Sequence, residues 1–262
     1  MTGLAGSRTV FAVILLEIAL GSVAVLWVTP VWGVVKRGFF LLVASTALTC
    51  AVLGQVAAAG PLGRVDGDRA TIALWAFSLA CAGFTGALLL RRLPIARAAG
   101  VAAVPAGVWA LIEIALLRGD GDTARVVAGA AAMLTGAAFL GATWDGMVLG
   151  HWYLVDRKLT VRPMRAMAVA FSVSIGLALV SAALGRGGEV TAAERDLNPL
   201  LLVSDLTLYL ALGLVAVNAL LAFFVHKLVA EGSIRAATGM LYLAVIMAFS
   251  AEFAAKARFF TV

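Results

Sequence analysis

Five carboxylates, Glu17, Glu113, Asp145, Asp205 and Glu252, fall inside long apolar stretches of the sequence rather than between them. An ionised carboxylate at a bilayer centre costs about 2.5–3.5 kcal/mol on the most lenient insertion scale, so each must face a bundle interior and find a partner or water. The chemistry open to such a set is proton movement, along a series of titratable groups graded from one membrane surface to the other. At about 1.5 Å per residue, Glu252, Glu113 and Asp205 stand a turn or two below the outer surface, with Glu17 deeper and Asp145 near the middle. The three shallow acids also admit a simpler reading. Glu113 and Glu252 would cap helix ends within reach of Arg118, Lys256 or Arg258, and Asp205 would favour a helix N-terminus. Glu17 and Asp145 lie too deep for that. They either line a functional interior or make interhelical hydrogen bonds.

The stretch "WDGMVLGHWYLVDRK", residues 144–158, adds His151, about 9 Å beyond Asp145 along the same helix. The other histidine, His226, stands in "AFFVHKLVAEG". Imidazoles at similar depth on two helices could ligate one haem b axially or hydrogen-bond a quinone carbonyl, and they could equally be structural or lipid-facing. Asn218 precedes His226 by about two turns on loosely the same stripe, which suits a polar cavity. Trp152 and Tyr153, just before Arg157 and Lys158, read as an aromatic belt, with the Tyr153 hydroxyl a further candidate ligand contact. Cys50 and Cys81 lack flanking charge or metal spacing and read as inert core fillers. Small-residue spacings, Gly83 with Gly86 and Ser174 with Ala178, read as surfaces where helices approach closely. No Walker loop, dinucleotide fingerprint, HExxH or nucleophile elbow occurs, which points away from catalysis by this chain alone.

The elements that must position these residues follow from hydropathy. Of 262 residues, 63% are hydrophobic and only 13% charged, with a mean hydropathy of +1.05, a composition that excludes a soluble globular domain and leaves a polytopic membrane protein. The net charge of +6 does not imply nucleic acid, because the basic residues lie singly or in pairs between apolar runs, where topology and anionic headgroups account for them. About eight segments reach the roughly 20 apolar residues a spanning helix needs, near 9–29, 38–59, 72–90, 98–117, 126–155, 166–185, 200–229 and 235–255. The runs are continuous rather than alternating, which selects an all-α bundle over a barrel. Residues 1–262 read as one transmembrane domain with no soluble domain, and the stretch from Thr9 to Trp27 as its first span rather than a cleaved signal.

Sorting the connections onto alternate sides places Lys36, Arg37, Arg91, Arg92, Arg97, Arg157, Lys158, Arg162, Arg165, Lys227 and Arg235 on one side, close to helix ends and nearly without acids. The positive-inside rule makes that side cytoplasmic, with both termini outside. The outer side carries Arg8, Arg64, Arg69, Arg118, Arg125, Arg186, Arg195, Lys256 and Arg258 among acids. One internal echo, "LLEIAL" at 15–20 and "LIEIAL" at 111–116, raises an inverted repeat of the first and fourth helices or a chance match of common residues.

"GHWYLV" followed by "DRKLTVRP" resembles a feature of uncharacterised bacterial polytopic membrane proteins, a resemblance that brings no activity with it. The helix count is similar to that of the membrane anchors of bacterial quinone-linked oxidoreductases. The expectation is a multi-pass protein of the bacterial cytoplasmic membrane that contacts lipid and not nucleic acid. It would serve as a quinone- or proton-handling subunit alongside other redox subunits, with a proton-coupled transporter and a non-catalytic assembly factor as alternatives.

Overall fold

The computed structural model describes residues 6–63, 65, 67–119, 121–156, 158–184 and 206–261. Among them are eight helices long and apolar enough to cross a membrane: α1 (Ser7–Val28), α2 (Arg37–Leu62), α3 (Asp68–Leu89), α4 (Leu93–Gly119), α5 (Thr123–Val155), α6 (Arg162–Leu184), α7 (Leu206–Ala230) and α8 (Ile234–Thr261). The chain is thus a multi-pass integral membrane protein. Each helix satisfies its own backbone, as a lipid environment demands. The helices extend past the apolar runs into the expected connections. The largest difference is at α8, which continues beyond residue 255 and so takes Lys256 inside a helix.

The packing divides the helices into two rings of four. In the first, α1 packs on α2, α2 on α3, α3 on α4 and α4 back on α1; in the second, α5, α6, α7 and α8 repeat the same circuit. The rings join through α1 on α5, flanked by α4 on α5 and α1 on α8. Helix α1 is therefore central, with 83% of its apolar window buried against 33–50% for the other seven helices. As first and fifth crossings, α1 and α5 run the same way through the membrane. In each ring the helices follow one another in chain order, so α1 and α5 hold corresponding places in the circuit, and the echoing hexapeptides of α1 and α4 lie within one ring.

The α1–α5 crossing is closed by glycine. A Cβ on Gly21 would overlap the backbone of Ala137 and Gly141, and one on Gly141 would overlap the backbone of Gly21. Backbones that touch in this way admit no side chain and no water between them. The pair expected to do this, Gly83 with Gly86, does not. A Cβ on Gly83 would meet Ala99 at an ordinary 3.7 Å, and one on Gly86 would meet nothing within 4 Å. Ser174 and Ala178 are buried as expected.

The connections are held by local polar ties. Asp122 caps α5, its side chain accepting from the backbone N–H of Ala124 at 2.9 Å. At the opposite face, Lys36 reaches across to Asp156 at 2.7 Å, joining the α1–α2 connection to the end of α5. The hydrogen bond from Lys36 is the main cause that holds the Asp156 carboxyl below its ordinary value of 3.8.

Two predictions follow from this packing. Gly141→Ala should force α1 and α5 apart at a cost of about 1–3 kcal/mol, lowering the melting temperature in detergent, whereas Gly86→Ala should leave it level or raise it slightly. The Lys36–Asp156 tie stabilises the fold above the usual carboxylate range and is lost as pH falls through the lowered value of Asp156. The melting temperature of Asp156→Asn should lie below that of the unmodified protein at pH 7, and the gap should narrow as the pH falls below 3.8; a gap that widens in acid would contradict this.

Candidate functional site

The deep acids meet at the junction of the two rings. Glu17 on α1 is fully buried, and its Oε1 lies 2.9 Å from the Nζ of Lys256 on α8. The same ammonium donates to Glu252 Oε2 at 2.9 Å and to the carbonyl of Ala132 on α5 at 3.0 Å. The ammonium thus meets an oxygen from each of three helices, one as an ion pair and two as hydrogen bonds. Gly136 on α5 makes room for the cluster, since a Cβ there would stand 2.8 Å from both Glu17 Oε1 and Glu252 Oε2. Glu252 and Lys256 are one turn apart on α8 in the Glu-before-Lys order that favours an intrahelical pair.

Lys256 stands elsewhere than its expected place among the outer-side cations that would serve Glu252 from the surface. It does pair with Glu252, but from inside the bundle with only 2% of its side chain exposed. A charged residue at the end of an apolar run looks like the end of the span; the turn spacing from Glu252 was the readable sign that it is not. Glu17 and Glu252 are accordingly not successive steps in depth. They share one cation.

Asp145 is also fully buried, on the other side of the glycine crossing. Ser22 of α1 is the polar side chain that acts on it, and neither carboxylate oxygen has a closed hydrogen bond among the described residues. The α1–α5 interface thus carries two acidic stations separated by a dry contact: Glu17 beside Gly136 before it, Asp145 beside Ser22 after it.

The remaining candidates do not join these stations. Glu113 is half-buried and accepts from Trp109 Nε1 of its own helix at 2.9 Å. Asp205 lies outside the described residues. His151 and His226 are exposed, on α5 and α7, which sit diagonally in the second ring with α6 and α8 between them. Each faces its own neighbour: His226 Nε2 lies 2.9 Å from Ser172 Oγ on α6, and His151 Nδ1 lies 3.4 Å from the Tyr242 hydroxyl on α8. Asn218 is fully buried, donating to Leu214 O at 3.0 Å with its Oδ1 unpartnered, so it does not share a face with exposed His226. Eight residues of helix leave two side chains about 80° apart, enough here to separate core from surface. Tyr153 is buried, its hydroxyl donating to the carbonyl of Thr160, and so ties the turn after α5. Cys50 and Cys81 are free thiols. Among the described residues no group of three or more His, Cys, Asp or Glu is placed to hold a metal ion.

Comparison of the chain with protein-family models, curated proteins and solved structures gives no match.

The charge count of the cluster makes an asymmetric prediction. Two carboxylates surround one ammonium, so Glu17→Gln leaves a balanced Glu252–Lys256 pair, whereas Lys256→Met leaves two acids without a cation. Removing the sole partner of a buried charge costs about 3–5 kcal/mol. Thermal unfolding in detergent should show Lys256→Met strongly destabilised, Glu17→Gln near the unmodified protein, and Glu17→Gln combined with Lys256→Met partly restored. Equal losses from both single substitutions would contradict this charge balance.

Proposed function

We propose that the protein is a proton-coupled carrier of the cytoplasmic membrane, with both termini on the outer face, in which the Glu17–Lys256–Glu252 cluster holds one exchangeable proton. The observation that carries this reading is the burial of two carboxylates around a single ammonium at the contact of the two helix rings. With all three ionised, one negative charge is left without compensation in a place walled from water, and a bound proton removes it. Glu252, at 6% exposure, is the least buried member of the cluster. Gain and loss of that proton changes the charge where α1, α5 and α8 meet and so biases how the rings pack. Coupling of a binding event to the movement of one repeat against another is the physical basis of alternating access.

The other readings draw on different residues. A quinone- or haem-bearing subunit of a redox assembly would use His151 and His226, which face separate partners on diagonal helices. An assembly factor would use the acids as interhelical ties with no exchangeable proton. Infrared difference spectra between acidic and alkaline buffer, recorded on the protein in vesicles, distinguish them. A carboxylic C=O band should titrate, vanish in Glu17→Gln or Glu252→Gln, and survive His151→Ala and His226→Ala. If no carboxyl band titrates, or the band depends on the histidines, the carrier reading fails.

A further inference from the structure

We infer that the face where the α1–α2 and α3–α4 connections meet is a binding site for the phosphate of an anionic phospholipid, built from Arg37, Arg91, Arg92 and Arg97. The inference is independent of the proton cluster. Arg37 Nη1 donates to the carbonyl of Leu88 at 3.0 Å and approaches that of Leu89 at 3.5 Å, which brings the start of α2 onto the end of α3, immediately before Arg91 and Arg92. Arg97, in the early turns of α4, has its guanidinium carbon 5.2 Å from the ring centroid of Trp32, which is itself stacked on Trp27 at 4.9 Å and on Phe40 at 4.1 Å. A cation–π contact places a guanidinium without consuming its N–H donors, which stay available to an oxyanion. The neighbouring acid, Asp156, is engaged by Lys36, and among the described residues no carboxylate pairs with Arg91, Arg92 or Arg97.

Arg91 supplies the sign that this is more than scattered topogenic charge. It closes α3 in the left-handed region at φ 58°, with its N–H bonded to Leu88 O at 3.2 Å and that of Arg92 to Ala87 O at 2.8 Å. This is the helix ending that glycine adopts freely and a side chain adopts only at a cost. Arginine at such a position gives up backbone stability, and what it gains is an exposed guanidinium next in sequence to that of Arg92. A phosphodiester anchored in the headgroup layer is the anion that such a surface meets, and Arg matches its oxygens with paired N–H groups.

The test uses the full chain in detergent, titrated with phosphatidylglycerol or phosphatidylcholine and read by native mass spectrometry as lipid retained. The unmodified protein should retain phosphatidylglycerol in preference to phosphatidylcholine, and retention should weaken roughly five-fold for each of Arg91, Arg92 and Arg97 replaced by Gln. Arg91→Gly is the decisive variant, because it relaxes the backbone and should raise the melting temperature while still weakening retention. Arg162→Gln with Arg165→Gln, at the start of α6, should leave retention unchanged. The inference is overturned if Arg91→Gly holds the anionic lipid as tightly as before, if the Arg162 and Arg165 pair matters equally, or if millimolar inorganic phosphate displaces the lipid completely.

Discussion

The structure depends on one ammonium group. Lys256 Nζ bonds to α1 through Glu17, to α5 through Ala132 and to its own helix through Glu252, so a single nitrogen fixes the junction at which the two four-helix rings meet. Burying such a group is costly, and a buried ion pair is a poor source of stability compared with well-packed hydrocarbon. In a bilayer the comparison sharpens, because lipid tails offer helices no hydrophobic incentive to associate and polar ties carry more of the specificity. The cluster sets which helices touch and at what height. The surrounding residues make that feasible: Gly136 clears space for both carboxylates, and Glu17 lies on the fully buried side of α1.

The same interface explains why Asp145 is not a duplicate of Glu17. Both are fully buried on the α1–α5 contact, but Asp145 has a serine where Glu17 has a lysine. Between them the backbones of Gly21, Ala137 and Gly141 touch. No water or side chain fits between the helices at that contact. A glycine crossing of this kind has no interlocked side chains.

Much of this fold was legible in the sequence, because the length and hydropathy of a spanning segment are properties of one stretch of chain. Segment number, helical character and the depth of Glu17 and Asp145 all follow from local composition. What was not legible depended on azimuth and neighbours. Asn218 and His226 seemed to share a stripe, and a rotation of about 80° put one in the core and the other outside. The bond from the Tyr153 hydroxyl to the carbonyl of Thr160 depends on how the turn after α5 folds back. Lys256 was misjudged for a physical reason of wider use: a long side chain with its charge at the tip can lie inside a bundle when acids await it, though its position at the end of an apolar run resembles an interface.

The two near-identical hexapeptides show how far local sequence can determine a residue's role. "LLEIAL" in α1 and "LIEIAL" in α4 offer a glutamate in almost the same setting. Glu17 is sealed and paired with a lysine from another helix; Glu113 is half-buried and satisfied by the indole of Trp109 on its own helix. The difference lies in the host helix. Central α1 has protein on nearly every side, so a charge there must be answered by another helix. Peripheral α4, with 39% of its window buried, leaves room for a glutamate to find a partner locally and near its helix end. The cost of an intramembrane acid is therefore assigned by topology, through which helix becomes the centre of the bundle. A search for functional acids in such chains should weigh the expected centrality of the helix before the motif that surrounds the acid.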